Sequence, residues 1–475
     1  MIILRHNNLS TDDLFIIERI LLKVSETPYH TYSLDYSLLN KPRAEVYGFI
    51  AGIFQRMNIC QTLGITTSDF LDFLIDIEKG YNDNPYHSFY HAVDVAMVLY
   101  HMMEQYDMAE YLTNVDLAMV MIAALCHDIG HPGKNNHFEV SCKTSKAKLY
   151  KDLSVLESHS SSLTLELLDK HQLLRNLESQ TSLLGIAISK QDFKTSMVKM
   201  ILATDMVCHF TLKDNISILH EKIDALKHHS QVKKVLLSMG KQERKLKPLF
   251  PNQNPFHYFK QHFFSTQPSS PNNFHVTKSL LLNSRERTML CKILIHAADI
   301  SNPCRPWTVF HQQSRLVCVE FFRQGDAEES LGLPISPNMN RKEANPSSIN
   351  VGFIDYIVQP YFEVLSLLFP KSKELLVQCS KNRGEWLKLS TENVDIFGNK
   401  LLPIEVAMGG SITQVTIAAG TVEIPGKFEK VIRNKLKRSH SFNPNLFLST
   451  DDHLKIRRKS EEISLLYQRT RSPIG

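Results

Sequence analysis

The stretch DLAMVMIAALC, from Asp116 to Cys126, has no charged residue after its first position. At 3.6 residues per turn its apolar side chains cover all sides of a helix, which is typical of a helix at the centre of a domain. The run TMLCKILIHAA, from Thr288 to Ala298, has the same character apart from one lysine. Strand-like alternation is nearly absent from about residue 45 to 391. The sequence therefore predicts an all-α fold, a compact domain of many helices.

Three further zones surround or interrupt this body. A lead-in of residues 1–44 contains one predicted amphipathic helix, from Asp12 to Val24. Residues 228–284 interrupt the body with a charged run and then a stretch rich in proline, asparagine and serine. That composition predicts a long loop insertion, which would be either a lid or a surface loop. Residues 392–475 form a C-terminal extension, where the composition changes again.

Within the extension, residues 403–425 are rich in β-branched residues and glycine, which predicts a short β-hairpin. The last fifty residues, 426–475, are basic and rich in serine, and we expect them to be disordered. They carry twelve Lys and Arg against five Asp and Glu, a charge of +7 in a chain whose formal net charge is +5. The rest of the chain is therefore close to neutral, at about −2, and a nucleic-acid partner is not expected for the folded body.

The bulk composition is that of a globular domain with a sizeable core, because 43% of the residues are hydrophobic and 22% are charged. The eight cysteines are scattered without a CxxC pair, which favours free thiols in a reducing compartment. The N-terminus lacks the apolar core of a signal peptide, and no apolar run approaches the length of a membrane span. We therefore expect a cytoplasmic protein without a transmembrane segment.

Six polar residues at the ends of apolar segments carry the chemical signal. They are His87, His91, His127, Asp128, His131 and Asp299. The four-residue spacing of His87 and His91 predicts that they share one face of a helix. A lone histidine is usually a surface or a hydrogen-bonded core residue, but so many imidazoles and carboxylates in apolar segments would be costly to bury without a metal ion or mutual pairing.

Imidazole nitrogens and carboxylates suit a divalent metal ion, and a carboxylate that follows a ligand histidine can bridge to a second ion. Two such ions can hold a hydroxide and the oxygens of a phosphate. The residues alone therefore indicate metal-dependent phosphate chemistry.

The segments around these residues resemble the class I 3′,5′-cyclic nucleotide phosphodiesterases, a family within the HD-type metal-dependent phosphohydrolases. The matching segments are NPYHSFYHAVDV (84–95), CHDIGHPGKNNHF (126–138), YKDLSVLESHS (150–160), ILATDM (201–206), HAADISNP (296–303), FFRQGD (321–326), VGFIDYIVQPYFE (351–363) and NRGEW (382–386). They occur in the order of the family and span about residues 45 to 391, so the body is expected to be a phosphodiesterase catalytic domain.

The resemblance implies a role for each matching residue. His91, His127, Asp128 and Asp299 correspond to the ligands of a tightly bound metal ion, usually zinc, and Asp128 also bridges to a second ion, usually magnesium, with manganese as an alternative. His131, Glu157 and Thr204 correspond to residues that bind the water ligands of the metals. His87 corresponds to the general acid that protonates the departing O3′ after attack by a hydroxide held between the metals. The implied product is a nucleoside 5′-monophosphate.

The resemblance also implies a nucleotide pocket. Phe353 corresponds to the aromatic residue that stacks on the base, and Val317 to the apolar residue on its opposite face. Other pocket residues of the family correspond to Tyr86, Asn302 and Phe321. The presence of Asn302 slightly favours cAMP as the substrate. Three residues before Phe353 the family has a glutamine, whereas this chain has Asn350. The choice between cAMP and cGMP therefore stays open. Two further departures from the usual family residues are Ser88 for asparagine and Gly130 for aspartate, neither at a metal-ligand position.

Two other functions remain as alternatives. An HD-type phosphohydrolase of deoxynucleoside triphosphates or nucleoside monophosphates would share the metal residues, but it gives no reason for His87 or the aromatic clamp. A catalytically inactive module that sequesters nucleotide would not need the complete ligand set. The basic tail has two candidate partners of its own, an anionic membrane surface and a basophilic kinase that recognises Ser439, Ser441 or Ser460.

Overall fold

The computed structural model describes residues 5–26, 34–39, 41–183, 185–186, 188–225, 281–392, 414–417 and 420–423. Most of the predicted insertion at 228–284 and the tail beyond residue 423, with Ser439, Ser441 and Ser460, lie outside these residues. The described body is helical nearly throughout, which confirms the predicted all-α fold.

The α-helices, in chain order, are α1 (Thr11–Glu26), α2 (Arg43–Arg56), α3 (Ile59–Leu63), α4 (Thr67–Gly80), α5 (Phe89–Gln105), α6 (Asn114–Cys126), α7 (Asn136–Ser141), α8 (Ser145–Leu149), α9 (Val155–Lys170), α10 (Leu177–Leu183), α11 (Lys190–Ile201), α12 (209–225), α13 (Ser284–Asp299), α14 (Trp307–Ser330), α15 (Pro346–Phe353), α16 (Gln359–Leu368) and α17 (Lys373–Glu392). Two short antiparallel strands, β1 (Gln414–Ile417) and β2 (Gly420–Glu423), pair within the range predicted for a hairpin.

Helix α6 is the central helix that its apolar sequence predicts. Every residue from Val115 to Cys126 is buried, and the helix packs against α5, α11 and α13. Its start is defined by a capping box, in which the Thr113 hydroxyl accepts from the Asp116 N–H and the Asp116 carboxylate accepts from the Thr113 N–H. The Arg287 side chain donates to that same carboxylate at 2.7 Å, so the single charge of the helix is paired. These contacts fix the start of α6, and the helix then runs through the core to His127 at its other end.

The described part of the lead-in packs into the same core as the body. Helix α1 lies against α2, where Gly48 and Gly52 permit close approach. A Cβ atom at Gly48 would lie 2.7 Å from the Ile17 carbonyl oxygen, and one at Gly52 would lie 2.6 Å from the Val24 Cβ. The fully buried guanidinium of Arg305 donates to the carbonyl oxygens of Leu34 and Tyr36, which ties the lead-in to the centre of the domain.

The helical stretch Pro346–Leu368 runs from α15 to α16 through a π-helical turn, Ile354–Val358. By length and composition alone, this stretch is apolar enough to cross a membrane. Its residues Ile354, Val358 and Tyr361 are fully buried in the hydrophobic core of the domain. Packing in the core therefore accounts for its apolar composition.

Candidate active site

Four side chains converge from three helix ends. His91 lies in the first turn of α5, His127 and Asp128 directly follow α6, and Asp299 is the last residue of α13. The Nε2 atom of His91 lies 3.1 Å from Asp299 Oδ1 and 3.7 Å from Asp128 Oδ2. The Nε2 atom of His127 lies 3.2 Å from Asp128 Oδ2 and 3.4 Å from Asp299 Oδ1. Two imidazole nitrogens and two carboxylate oxygens thus face one small space.

The surroundings of His127 favour a positive charge in this space. Its Nδ1 atom lies 2.9 Å from the Ala124 carbonyl, which can only accept, so Nδ1 carries a proton. Its buried Nε2 atom faces the carboxylates of Asp128 and Asp299, at 3.2 and 3.4 Å. Burial opposes a charge on His127, but the carboxylates of Asp128 and Asp299 raise the pKa of this imidazole well above its usual range. A positive charge is therefore favoured between these groups, supplied either by a proton or by a metal ion.

His87 does not share a helix with His91, so the prediction drawn from their spacing is wrong. Helix α5 begins at Phe89, and the rings of His87 and His91 lie 5.7 Å apart at nearly a right angle. The reason is a carboxylate from α14. Glu320 Oε2 accepts from the backbone N–H groups of Tyr86 and His87, at 3.0 and 3.1 Å, which holds this segment outside the helix.

Glu320 also binds the His87 side chain. Its Oε1 atom is hydrogen-bonded to His87 Nδ1, and both side chains are buried. Burial acts against a charged imidazole, but the Glu320 carboxylate raises the pKa of His87 above its usual value. Burial likewise acts against a charged Glu320, yet His87 holds the pKa of that carboxyl at about 2. The pair therefore favours a protonated imidazole and an ionised carboxylate at neutral pH.

His131 stacks on His87, with ring centroids 4.0 Å apart. Burial and the neighbouring His87 lower the pKa of His131 to about 3. The backbone N–H of Gly133 donates to His131 Nδ1 at 3.1 Å, so the proton of the neutral ring lies on Nε2. The two stacked imidazoles therefore differ in charge, with His87 as the charged ring and His131 as the neutral one.

These groups line one wall of a cleft. The predicted site residues on its lining are Tyr86, His87, Asp128, His131, Glu157, Thr204, Asp299, Asn302, Val317, Phe321, Asn350 and Phe353. His91 and His127 are not on the lining, and they contact the two lining aspartates from behind. The structure thus brings all fourteen predicted residues together at one cleft.

The opposite part of the cleft is more apolar. Ser314, Val317 and Phe321 lie on one face of α14, and Phe353 ends α15. Asn302 lies in a short 3₁₀ turn after α13, and its Nδ2 donates to the Tyr86 hydroxyl. One end of the cleft therefore carries the charged groups, and the other offers apolar and aromatic surface with a few polar atoms.

Both polar atoms of the Asn350 amide already have partners within the protein. Its Oδ1 accepts from the Ser314 hydroxyl, and its Nδ2 donates to the Pro346 carbonyl at 2.8 Å. Because a carbonyl can only accept, the amide cannot reverse its orientation without losing that bond. The amide is thus fixed in one orientation at the cleft wall.

Sequence reasoning missed two polar residues that hold predicted site residues in place, Glu320 and Ser314, and also the lining residues Met206, Ile300, Phe310, Cys318 and Ile349. Glu320 is a buried carboxylate within the apolar run VCVEFF, and that burial pattern is the signal that could have found it. Ser314 carries no such signal, because a serine in a helix is ordinary and its role depends on its proximity to Asn350. One departure from the usual family residues also has a local explanation. Gly130 adopts a φ of +77°, and a Cβ atom there would lie 2.6 Å from Leu163 Cδ1, so an aspartate would be strained.

Comparisons with known proteins identify the family of this chain. The family described as 3′5′-cyclic nucleotide phosphodiesterase matches residues 86–379. A dual specificity calcium/calmodulin-dependent 3′,5′-cyclic nucleotide phosphodiesterase 1C of Mus musculus is 29% identical over 361 residues, which cover 74% of this chain and 42% of that protein. The 3′,5′-cyclic-nucleotide phosphodiesterase regA of Dictyostelium discoideum is 28% identical to this chain. The alignment covers 74% of this chain and 37% of that protein.

Among solved structures, the phosphodiesterase domain of the Salpingoeca rosetta rhodopsin phosphodiesterase matches with a TM-score of 0.59 and 25% sequence identity. The match covers 78% of this chain and 94% of that domain. By contrast, the chain spans about two fifths of the length of the two curated relatives. The similarity therefore concerns their shared phosphodiesterase region. This chain belongs to the 3′,5′-cyclic nucleotide phosphodiesterase family.

Proposed function

We propose that this chain hydrolyses 3′,5′-cyclic nucleotides to nucleoside 5′-monophosphates. Membership of the family supports the reaction class. The observation that carries the proposal is the position of His87, a buried imidazole kept protonated by Glu320, on the same cleft as the carboxylates of Asp128 and Asp299. A proton donor next to a cation-binding cluster is the arrangement that cleavage of a phosphate ester requires.

The donor set of His91, His127, Asp128 and Asp299 fits a divalent metal ion. The distances between its nitrogen and oxygen atoms, 3.1 to 3.7 Å, are close to those between ligands that each lie about 2.1 Å from one ion. We propose that these four residues bind one ion, zinc by analogy with the family. Asp128 would also reach a second ion, magnesium or manganese. Two such ions supply charge stabilisation for a phosphate and a nucleophile from water.

The three residues around Asp128 would then act on the water ligands of the metals. His131 offers an Nε2–H donor, because its Nδ1 accepts from Gly133. Burial and the nearby Asp205 raise the pKa of Glu157 well above its usual range, and Asn136 donates to both of its oxygens. Thr204 donates its hydroxyl to Ile201, which leaves its oxygen as an acceptor. The three side chains thus offer both donors and acceptors.

The His87 side chain would donate a proton to the departing O3′ oxygen of the substrate. Glu320 binds the Nδ1 atom of His87, so the proton to be transferred lies on Nε2. The same carboxylate holds the backbone of Tyr86 and His87, which limits the movement of the ring. Glu320 thus positions the acid and keeps it charged, without contact with the substrate.

The apolar end of the cleft would bind the base. Val317 and Phe353 are proposed to clamp its two faces, with Phe321, Tyr86 and Asn302 around its edge. The orientation of the Asn350 amide is fixed by Ser314 and Pro346, so it offers one fixed pattern of donor and acceptor to the base edge. We propose cAMP, cGMP or both as substrates, and the presence of Asn302 slightly favours cAMP.

The alternatives explain less of the cleft. A phosphohydrolase of deoxynucleoside triphosphates or nucleoside monophosphates needs the metal cluster but leaves the His87–Glu320 pair without a role. A sequestering module would need neither the acid nor its positioning carboxylate.

We further propose a cytoplasmic location for the protein. We also propose that the catalytic domain has the limits predicted from the sequence, residues 45–391.

The deciding experiment incubates the purified chain with Mg²⁺ or Mn²⁺ and with either cAMP or cGMP, and follows nucleotides by chromatography. We expect 5′-AMP or 5′-GMP to appear, and no 3′-monophosphate. Deoxynucleoside triphosphates and 5′-AMP serve as competing substrates, and their hydrolysis would favour the broader phosphohydrolase instead. If a metal-replete enzyme forms no product from either cyclic nucleotide, the proposed function is wrong.

A further inference from the structure

A basic segment stands out on the surface between α7 and α9. The lysine shoulder, as we call residues 143–153, has the sequence KTSKAKLYKDL. It contains four lysines against a single acid, Asp152. This local charge of +3 contrasts with the net charge of about −2 that the chain carries outside its basic tail. The body therefore has one concentrated basic segment. The shoulder includes helix α8, which is capped by the Thr144 hydroxyl.

The inner side of the shoulder is anchored. Ala147 and Tyr150 are buried and form a small hydrophobic cluster with Val155, separate from the main core. The Tyr150 hydroxyl donates to the Ser162 hydroxyl of α9 at 3.1 Å. The Thr144 hydroxyl also donates to the buried Glu139 carboxylate. The segment is therefore held against the domain by its own buried residues and hydrogen bonds.

The outer side exposes two leucines. Leu149 is 57% exposed and Leu153 is 50% exposed, although both flank the buried Tyr150. The backbone around them is strained, because Lys151, Asp152 and Ser154 all have positive φ angles, of 54°, 58° and 41°. None of the three is a glycine, and each such residue costs on the order of 1 kcal/mol. The turn leads into α9, which carries Glu157, so the two exposed leucines, rather than the backbone angles, are the feature of this surface that the site does not explain.

The lysines next to these leucines are available for binding. Lys143, Lys148 and Lys151 are exposed, and within the described chain no acidic side chain forms an ion pair with them. Lys146 is more buried, and its Nζ atom lies 3.4 Å from the Gly130 carbonyl. Three exposed lysines and two exposed leucines thus occur on one segment of eleven residues.

We propose that the lysine shoulder is a docking surface for an anionic phospholipid membrane. Each lysine close to an anionic leaflet is attracted to it, and the leucines can enter the apolar boundary of the lipid. All four cations are lysines, which are hydrated point charges suited to a diffuse anionic surface, whereas protein interfaces are enriched in arginine and aromatic residues and depleted in lysine. That composition favours lipid over an acidic protein as the partner.

The first test measures binding of the full-length chain to sedimented vesicles of phosphatidylcholine with 30% phosphatidylserine, at physiological salt. The variant Lys143→Gln/Lys148→Gln/Lys151→Gln is expected to bind about 100-fold more weakly than the wild type. The matched control, Lys190→Gln/Lys373→Gln/Lys381→Gln, removes the same charge from exposed lysines elsewhere and should bind like the wild type. Equal loss in both variants, or no binding of the wild type, would overturn the proposal, and the second result would leave an acidic protein as the candidate partner.

A second test separates the shoulder from the basic tail, which could also attract vesicles. A tryptophan introduced by Leu149→Trp should shift its fluorescence to shorter wavelength when anionic vesicles are added, after subtraction of the wild-type spectrum. The control is Leu183→Trp, at a leucine that is 81% exposed elsewhere on the surface, and it should not shift. A vesicle-bound Leu149→Trp protein with an unshifted spectrum would show that the tail alone binds, and would refute the proposal.

Discussion

At the scale of single residues, Glu320 links three functions of the site. Its carboxylate binds the His87 ring, holds the backbone before α5 and keeps the imidazole charged. A buried carboxylate without a cation would be costly, so the ion pair with His87 also accounts for the presence of Glu320 in an apolar helix. The acid and its partner are therefore best tested separately.

Replacement of His87 should separate catalysis from metal binding. We expect His87→Ala to lower kcat by about 100- to 10,000-fold, the range for loss of a general acid, with metal content unchanged. Asp299→Ala should lose both activity and metal, because its Oδ1 faces the nitrogens of His91 and His127. Elemental analysis of both variants and steady-state kinetics provide the measurement. Full activity of His87→Ala would show that another group protonates the leaving oxygen.

Glu320→Gln should change the pH dependence of the reaction. The amide removes the negative charge that raises the pKa of His87, and burial then lowers that pKa. Because His87 must be protonated to act, the alkaline limb of the kcat/KM profile should move to lower pH. At pH 8 we expect at least a tenfold loss, with a smaller loss at pH 6. A uniform loss at every pH would indicate that Glu320 serves position alone.

Asn350→Gln should reveal whether this amide selects the base. The longer side chain cannot keep both bonds, to Ser314 and to Pro346, in the present geometry. We expect the ratio of kcat/KM for cAMP to that for cGMP to change by about tenfold, while kcat changes little, since the metal cluster is untouched. Ser314→Ala frees the amide oxygen and should shift the ratio as well. An unchanged ratio in both variants would place selectivity in other residues.

The metal-binding and acidic residues could be predicted from the sequence because each stands out against an apolar helix end. His91, His127 and Asp299 are conspicuous in this way, and the structure brings them together. Ser314 and the orientation of His87 could not be predicted. The orientation of His87 depends on Glu320 of α14, more than two hundred residues later in the chain, and the role of Ser314 depends on Asn350 of α15. Contacts between distant segments leave no local pattern in either one.

At the scale of elements, α17 holds two segments of the cleft through adjacent residues. The fully buried Asn382 donates to the carbonyl oxygens of Pro303 and Arg305, at 2.8 and 2.6 Å, next to Asn302. Arg383 binds both carboxylate oxygens of Asp355, two residues after Phe353. The helix therefore braces both the turn of Asn302 and the π-helical turn after Phe353.

Asn382→Leu tests this brace. The apolar side chain is of similar size but leaves two buried carbonyl groups without donors, and each costs about 1–3 kcal/mol. We expect the free energy of unfolding to fall by roughly 2–4 kcal/mol and KM to rise more than kcat falls. Denaturant titration and kinetics measure both effects. Lys381→Leu, at the exposed neighbouring position, is the control and should change neither quantity greatly.

The helical character of the body could be predicted from its apolar pattern, but the packing partners of its helices could not. The predicted helix from Asp12 to Val24 appears as Thr11–Glu26. Nothing in its own sequence identifies α2 as its neighbour, because that contact depends on the absence of Cβ atoms at Gly48 and Gly52. The π-helical turn Ile354–Val358 likewise has no sequence signal of its own.

At the scale of the whole molecule, the core helices and the metal cluster are coupled. Helices α5, α6 and α13 pack together in the core, and each ends or begins at a residue of the cluster. Without a cation, two carboxylates and two imidazoles would face each other in a buried space. Folding of the centre of the domain is therefore expected to depend on what occupies that space.

Removal of metal should consequently lower the stability of the whole domain. A ligand bound only by the folded state at 100 times its Kd contributes about 2.7 kcal/mol, so a chelator should reduce the Tm, and Zn²⁺ with Mg²⁺ should restore it. Differential scanning calorimetry with and without chelator provides the measurement. Asp299→Ala is the matched control, because a site that lacks this carboxylate should show a much smaller response to chelation. An equal decrease in Tm on chelation for the wild type and for Asp299→Ala would show that the effect comes from elsewhere in the protein. The stabilising ion would then not be bound at this cluster.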